Sequence, residues 1–337
     1  MEKGIKVICN DSYKKKISGV KDPLLTFFTP TYNRASFLTR IEDCLLKQTC
    51  RDFVWIIVND GSKDNTDEVV VGILQKEQLP IKYISKPNGG KHSAFKAAFE
   101  ECETVYFQCM DDDDVYFPDA VEFFLRKWAD IKASGDETIG AIRTLSRRPD
   151  GTYSADFKIV DGDEYKASTI EVNYVMKRHM ENWTCYDTKK LSSVDLFKPY
   201  WMSDQHKFVV ERIWQTRFAR KYNCLYVNRT FREYRDDNEI SLMHGAKSRQ
   251  HYIDVFLNMK VTLDEQYDLI EKYNGGKISL LKTVMIVNML RQYLGISYKE
   301  MVDSVDNKLL RCMYGLTWLP SLFGKVAIAI TMKLRNR

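Results

Sequence analysis

The chain has 337 residues, enough to bury a full core and a second small unit. At 44% hydrophobic and 29% charged it has the composition of a folded protein, and a net charge of only +5 excludes a general nucleic-acid binder. Its eight cysteines contain no CxxC pair, which argues against a zinc site or a disulfide frame and predicts free thiols in a reducing compartment.

Residues 1–22 are polar and lysine-rich and read as an arm or an edge hairpin. From Leu24 a regular alternation begins. Residues 24–29 read as a strand, 35–49 as a helix with Phe37, Leu38, Ile41, Leu45 and Leu46 on one side, and 53–58 as a strand apolar at every position. A helix over 64–75, a strand over 81–84, a helix over 91–101 and a strand over 105–110 follow. This β-α-β-α-β-α-β order predicts a doubly wound, mostly parallel α/β sheet with helices on both faces.

The pattern then loosens. Residues 118–132 read as a helix, 138–145 as a strand, and 146–170 as loops or hairpins. A helix over 208–222 and a strand over 223–227 come next, and helices dominate from Ile278, giving a helical C-terminal extension. The expected organisation is an arm (1–22), an α/β domain (23–245, divided at 115/116 into two halves) and a helical region (246–337).

No stretch reaches the roughly 20 apolar residues of a membrane span. The closest, Cys312 to Met332, is interrupted by Pro320, Gly324 and Lys325. The first residues lack the apolar core of a signal peptide, so a cytoplasmic protein is expected. Residues 307–337 carry six basic side chains and no acidic one. That basic, amphipathic tail predicts peripheral contact with an anionic membrane surface on the inner face of the cell membrane, the alternative being a helix packed on the core.

Four consecutive aspartates, Asp111 to Asp114, end the strand over 105–110. Like charges crowded at a strand end are costly unless cations offset them, and a divalent metal carrying a diphosphate does so. In doubly wound sheets ligands bind beyond the carboxyl ends of the strands. Two other polar clusters fall at such ends, residues 29–34 and 59–62. No G-x-G-x-x-G follows the first strand, and Asn88-Gly89-Gly90-Lys91 lacks P-loop spacing, so neither a dinucleotide site nor a Walker site is indicated.

Phe28-Thr29-Pro30-Thr31-Tyr32-Asn33-Arg34, Val58-Asn59-Asp60-Gly61-Ser62, Asn88-Gly89-Gly90-Lys91 and Met110-Asp111-Asp112-Asp113-Asp114 together resemble the ordered motifs of family 2 glycosyltransferases of GT-A fold, of the bacterial surface-polysaccharide type. The resemblance is close over 24–125 and looser over 180–243. It implies an inverting, metal-dependent transfer of a sugar from a nucleotide sugar, most often UDP-linked, to a hydroxyl of a glycan or lipid-linked acceptor. Pro30, Tyr32 and Arg34 would line the base and ribose, Asp60 would bind the base, and Gly90 and Lys91 would face the diphosphate. Asn59 stands where the family usually has aspartate. Asp111 and Asp112 would reach the donor, and Asp113, with Asp111, would hold Mn²⁺ or Mg²⁺; His244 is a further metal candidate. Glu211 matches the family's general base and Asp204 is the second choice. Trp183 and Trp201 could stack on sugar rings or fill the core. The rival readings are a sugar-nucleotide nucleotidyltransferase, which usually carries a glycine-rich basic loop after its first strand, and a non-catalytic nucleotide- or glycan-binding module.

Overall fold

The computed structural model describes residues 4–19, 24–153, 162–178, 181–199, 202–235 and 248–335, with backbone alone at Asp204 and at 322–335. The chain forms two compact units. One comprises Met1–Asn173, Lys177–Leu196 and Arg217–Leu242; the other comprises Tyr174–Met176, Phe197–Thr216 and Met243–Arg337.

The first unit is built on one sheet. Its strands are β1 (Lys6–Cys9), β2 (Leu25–Thr31), β3 (Phe53–Asn59), β4 (Ile81–Ser85), β5 (Tyr106–Cys109), β6 (Val115–Tyr116), β7 (Ile139–Arg147), β8 (Glu164–Ala167), β9 (Asn182–Asp187) and β10 (Asn223–Glu233). They run in the order β1-β4-β3-β2-β5-β9-β7-β10-β6, with β8 paired to β10. The centre, β4-β3-β2-β5, is parallel. Beyond it the sheet is mixed: β9 is antiparallel to both β5 and β7, while β10 is parallel to β7. The first residues do not form a hairpin. β1 pairs antiparallel with β4 and leads into α1 (Asp11–Ser18).

Between the central strands lie α2 (Ala35–Leu46), α3 (Thr66–Gln75) and α4 (Lys91–Glu100), and α5 (Ala120–Ser134) follows β6. The continuous apolar runs of β2 and β3 arise because both faces are covered. Leu25, Phe27, Phe53 and Trp55 pack in one core with Leu38 and Ile41 of α2, Val70 and Ile73 of α3, and Phe124 and Trp128 of α5. Alternate residues point the other way. Phe28 lies 5.9 Å from both Phe95 of α4 and Phe107 of β5, and Phe107 lies 5.4 Å from Phe99.

The second unit is helical. α8 (Arg249–Tyr273), α9 (Gly276–Leu294), α10 (Tyr298–Asp303) and α11 (Lys308–Arg335) follow the shorter α6 (Thr188–Ser192) and α7 (Arg212–Ala219) in the chain. Phe256, Leu263, Leu280, Val284, Val287, Leu310 and Tyr314 share its core. Buried Asn288 of α9 donates to Thr317 Oγ1 and to the Tyr314 carbonyl of α11, both at 2.8 Å. α8 was not expected as a separate element. Its inner face carries Asp254, Asn258, Lys260 and Gln266 among the apolar residues, which dilutes its stripe.

Phe107→Ala would empty a site packed by three phenylalanine rings. We expect a loss of about 3–5 kcal/mol, read from the denaturant midpoint; a midpoint equal to wild type would contradict two-faced burial of β5.

Candidate active site

Register brings the polar clusters together. Thr31 is level with Asn59, Asn59 with Ser85, and Phe28 with Cys109, so four neighbouring parallel strands end along one edge. The loops beyond those ends carry Arg34, Asp60, Lys86 to Lys91 and the four aspartates.

Two of these loops are stitched by side chains. Asn33, at φ +54°, donates its backbone N–H to Ser62 Oγ (2.9 Å), and its Oδ1 accepts from Lys63 N–H (2.7 Å). Asp64 accepts from Ala35 N–H at the start of α2 (3.1 Å). Burial would raise its pKa, but hydrogen bonds from Thr66 and from Ala35 N–H hold it below the usual carboxylate range. Tyr32 stands 41% exposed beside them.

Asp60 is nearly fully buried. Its Oδ1 accepts from Lys86 Nζ (2.6 Å) and Gly89 N–H (3.0 Å), and its Oδ2 from Gly90 N–H (2.7 Å). The carboxylate therefore fastens the Gly89-Gly90 turn at the head of α4. Gly61, at φ +78°, leaves only 2.7 Å between a would-be Cβ and Asn88 N, so no larger residue fits there. The departure at Asn59 has a local reason. Its amide donates to Asp67 Oδ1 (2.9 Å) and Tyr83 OH (3.0 Å), whereas an aspartate there would set two carboxylates against each other.

The four aspartates have separate surroundings. Asp112 and Asp113 share one cation: Arg34 Nη1 lies 2.8 Å from Asp112 Oδ1 and 2.9 Å from Asp113 Oδ2. Asp111 Oδ1 pairs with Lys91 Nζ at 2.7 Å. Asp114 Oδ2 pairs with Arg232 Nε at 2.6 Å, and Arg232 Nη2 reaches Glu181 at 3.0 Å. β6 pairs antiparallel with the end of β10, setting Arg232 opposite Tyr116 and bringing its side chain to the aspartates.

The side chains of Asp112 and Asp114 are 5% and 1% exposed, those of Asp111 and Asp113 27% and 23%. Burial pushes Asp112 up to about 6 against the pull of Arg34. Burial also raises Asp114, opposed by Arg232. For Asp111 burial acts the same way, but Lys91 and Arg232 outweigh it and hold the group below its ordinary value. The two buried members are thus enclosed by the chain, while Asp111 and Asp113 keep part of their side chains open.

Arg232 was not found by sequence reasoning, because one arginine on a strand carries no motif. Trp183 is a core residue. It is 2% exposed, lies against Phe27 and Tyr116, and donates from Nε1 to the Cys109 carbonyl at 2.6 Å, so it anchors the strand that leads into the aspartates. Glu211 lies in the second unit, exposed at the head of α7, with Gln215 Nε2 3.3 Å from its Oε2. The strand-like segment before it is pinned to α8. Asp254 Oδ1 accepts from Lys207 N–H (2.7 Å) and Phe208 N–H (3.2 Å), while Asn258 accepts from Val210 N–H (3.0 Å) and donates to the Phe208 carbonyl (2.7 Å). The Asp204 side chain, Trp201 and His244 lie outside the described residues.

The donor set suits a hard divalent cation. Asp111 and Asp113 offer oxygen ligands, and each has a carboxylate oxygen not used in its ion pair. Among the described residues no group of three or more His, Cys, Asp or Glu side chains is arranged to hold a metal. Two carboxylates completed by phosphate oxygens and water is the arrangement Mg²⁺ ordinarily takes.

Residues 26–146 match the family described as Glycosyl transferase family 2. Chondroitin synthase of Pasteurella multocida strain Pm70 is 38% identical over 135 residues, 40% of this chain and 13% of that protein. Hyaluronan synthase of Pasteurella multocida gives the same figures. Chondroitin synthase of Escherichia coli is 31% identical over 174 residues, 51% of this chain and 21% of that one. The match thus spans 13% to 21% of the length of these relatives. The solved structure of S. aureus TarS 1–349 in complex with UDP-GlcNAc superposes with a TM-score of 0.60 at 13% identity, covering 88% of this chain and 89% of that one. The mannosyltransferase PcManGT of Pyrobaculum calidifontis, in complex with GDP-Man and Mn²⁺, gives 0.51 at 14% identity, covering 93% and 92%. The fold is GT-A. Residues 26–146 are thus similar to family 2 glycosyltransferase domains.

Arg232→Met would leave Asp114 buried without its cation and is expected to cost about 3–5 kcal/mol by chemical denaturation. Adding Asp114→Asn should recover most of that loss; no recovery would mean that Arg232 matters for packing rather than charge.

Proposed function

We propose that the chain is an inverting, metal-dependent glycosyltransferase that moves a sugar from a nucleotide sugar, UDP-linked by preference, to a hydroxyl of a glycan or lipid-linked oligosaccharide in cell-surface polysaccharide synthesis. The observation that carries this reading is the partly exposed pair Asp111 and Asp113, flanked by Lys91 and Arg34 at the strand ends of a GT-A sheet. That S. aureus TarS binds UDP-GlcNAc and PcManGT binds GDP-Man with Mn²⁺ supports a nucleotide-sugar donor and a divalent cation here.

In this mechanism Tyr32 and the Pro30 to Arg34 loop lie along the base and ribose, and Asp60 keeps the Gly89-Gly90 turn and Lys91 in position for the diphosphate. Asp113 and Asp111 hold Mn²⁺ or Mg²⁺. When bound, the cation neutralises the leaving nucleoside diphosphate, a Lewis-acid role that needs no proton. Lys91 and Arg34 add positive charge at the same place. Glu211 takes the proton of the acceptor hydroxyl as its oxygen bonds to the anomeric carbon and the bond to the diphosphate breaks on the opposite face. Asp254 and Asn258 hold the backbone of residues 207–210 and so fix the approach of Glu211. Asp204 is the second candidate for the base, and His244 a further metal candidate. The division into an arm, a GT-A domain ending near 245 and a helical region belongs to the same reading. No helix among the described residues is long and apolar enough to cross a membrane, and attachment to the inner face of the cell membrane is assigned to the tail.

Asp113→Ala should abolish Mn²⁺-stimulated hydrolysis of the donor while leaving the melting curve unchanged; normal hydrolysis would refute the metal assignment. Glu211→Gln should retain donor binding, seen as ligand-induced thermal stabilisation, and lose about 10²–10⁴-fold in transfer. Transfer near wild type would move the role to Asp204.

A further inference from the structure

α11 is apolar on two sides. Leu310, Met313, Tyr314, Thr317 and Ser321 face the helical core and are buried. Leu309, Cys312, Leu316 and Leu319, spaced 3, 4 and 3 residues apart, form a second stripe on the opposite side, all exposed, with Leu316 at 73% and Leu319 at 62%. Trp318, 43% exposed, stands next to it. Large apolar side chains aligned on one helix face and open to water point to an unfilled partner.

Charge identifies that partner. Residues 307–337 carry six basic and no acidic side chains, and residues 272–299, which include α9 packed on α11, carry five basic and none acidic. The acidic residues of this unit fall outside these two stretches: on α8 between Asp254 and Glu271, on and beside α10 at Glu300, Asp303 and Asp306, and before α7 at Asp204 and Glu211. The 3-4 spacing is also that of a coiled-coil seam. A second copy would bring basic flanks against basic flanks with no acidic residue to pair, and exposed Pro320 interrupts the same face. A surface of anionic lipid satisfies both features: acyl chains take the leucines, a tryptophan suits the headgroup level, and phosphate neutralises the lysines and arginines.

We propose that the outer face of α11, centred on Leu316 and Leu319 with Trp318 beside it, docks flat on a bilayer of anionic lipid. This deepens the peripheral-membrane part of the proposed function, and it is independent of the transfer chemistry.

The test is co-sedimentation of the full chain with phosphatidylcholine vesicles, with and without about 30% phosphatidylserine. Wild type should partition at least about tenfold more strongly to the anionic vesicles and lose that preference at high salt. Leu316→Glu/Leu319→Glu should weaken anionic binding by about tenfold or more while leaving metal-stimulated donor hydrolysis and the melting curve unchanged. Equal partitioning of wild type to neutral and anionic vesicles, or undiminished binding by the double variant, overturns the proposal. So does a wild-type dimer in light scattering that becomes monomeric in the double variant, since the face would then belong to a second copy. Loss of donor hydrolysis in wild type with vesicle binding intact would instead overturn the glycosyltransferase reading and leave this one standing.

Discussion

Neutralising four adjacent carboxylates is the constraint on which the first unit depends. Two unit charges 4 Å apart interact by about 4 kcal/mol at an effective dielectric of 20, so a run of aspartates with two members buried cannot fold without cations. They come from three distant parts of the chain: Arg34 after β2, Lys91 at the head of α4 and Arg232 near the end of β10. Each can arrive only if its element is in place. The parallel register of β2, β3, β4 and β5 delivers the first two, and the antiparallel pairing of β10 with β6 delivers the third. The sheet order is thus also a charge-matching scheme.

Burial sorts the polar residues of the site into holders and presenters. Asp60, Asn59, Asp112 and Asp114 are almost wholly buried and bond to the chain itself: Asp60 to Lys86 and the Gly89 and Gly90 N–H groups, Asn59 to Asp67 and Tyr83, Asp112 to Arg34 and Asp114 to Arg232. Asp111, Asp113, Tyr32 and Lys91 keep part of their surface open. The second group can meet a ligand only because the first holds the loops still. Asp60 illustrates the difference between sequence and structure. Its motif suggests direct contact with a base, while its geometry makes it the clasp of the Gly89-Gly90 turn, and the two roles use the same carboxylate.

Much of residues 24–110 was legible because the central strands are buried on both faces, and such strands read as unbroken apolar runs. β9 was not. Asn182-Trp183-Thr184-Cys185-Tyr186-Asp187 mixes polar and apolar positions, and only its antiparallel neighbours β5 and β7 make it a strand. α8 was obscured for a related reason: Asp254 and Asn258 stand on its inner face because the backbone of residues 207–210 needs partners, so the stripe that announces a helix is broken by residues serving another segment. The aspartate run at a strand end was visible from the sequence alone. Arg232 was not, since long-range pairing leaves no local signature.

The charge scheme bears on how a donor would bind. Without ligand, Lys91 and Arg34 already have carboxylate partners, so the cations best placed for a diphosphate are committed to the residues proposed to hold the metal. A metal–diphosphate pair changes both sides at once. On the proposed function Asp111 and Asp113 would hold the cation, which would leave Lys91, and Arg34 in part, for the phosphate oxygens while Arg34 keeps its pair with Asp112. Neither half of that exchange is favourable alone: a bare diphosphate would meet four carboxylates, and a bare metal would compete with two basic side chains. Together they replace two ion pairs with a larger network of alternating charge, in which fewer groups are left desolvated without a partner. On the proposed function, the same aspartates that need cations to fold would favour a donor that arrives with one.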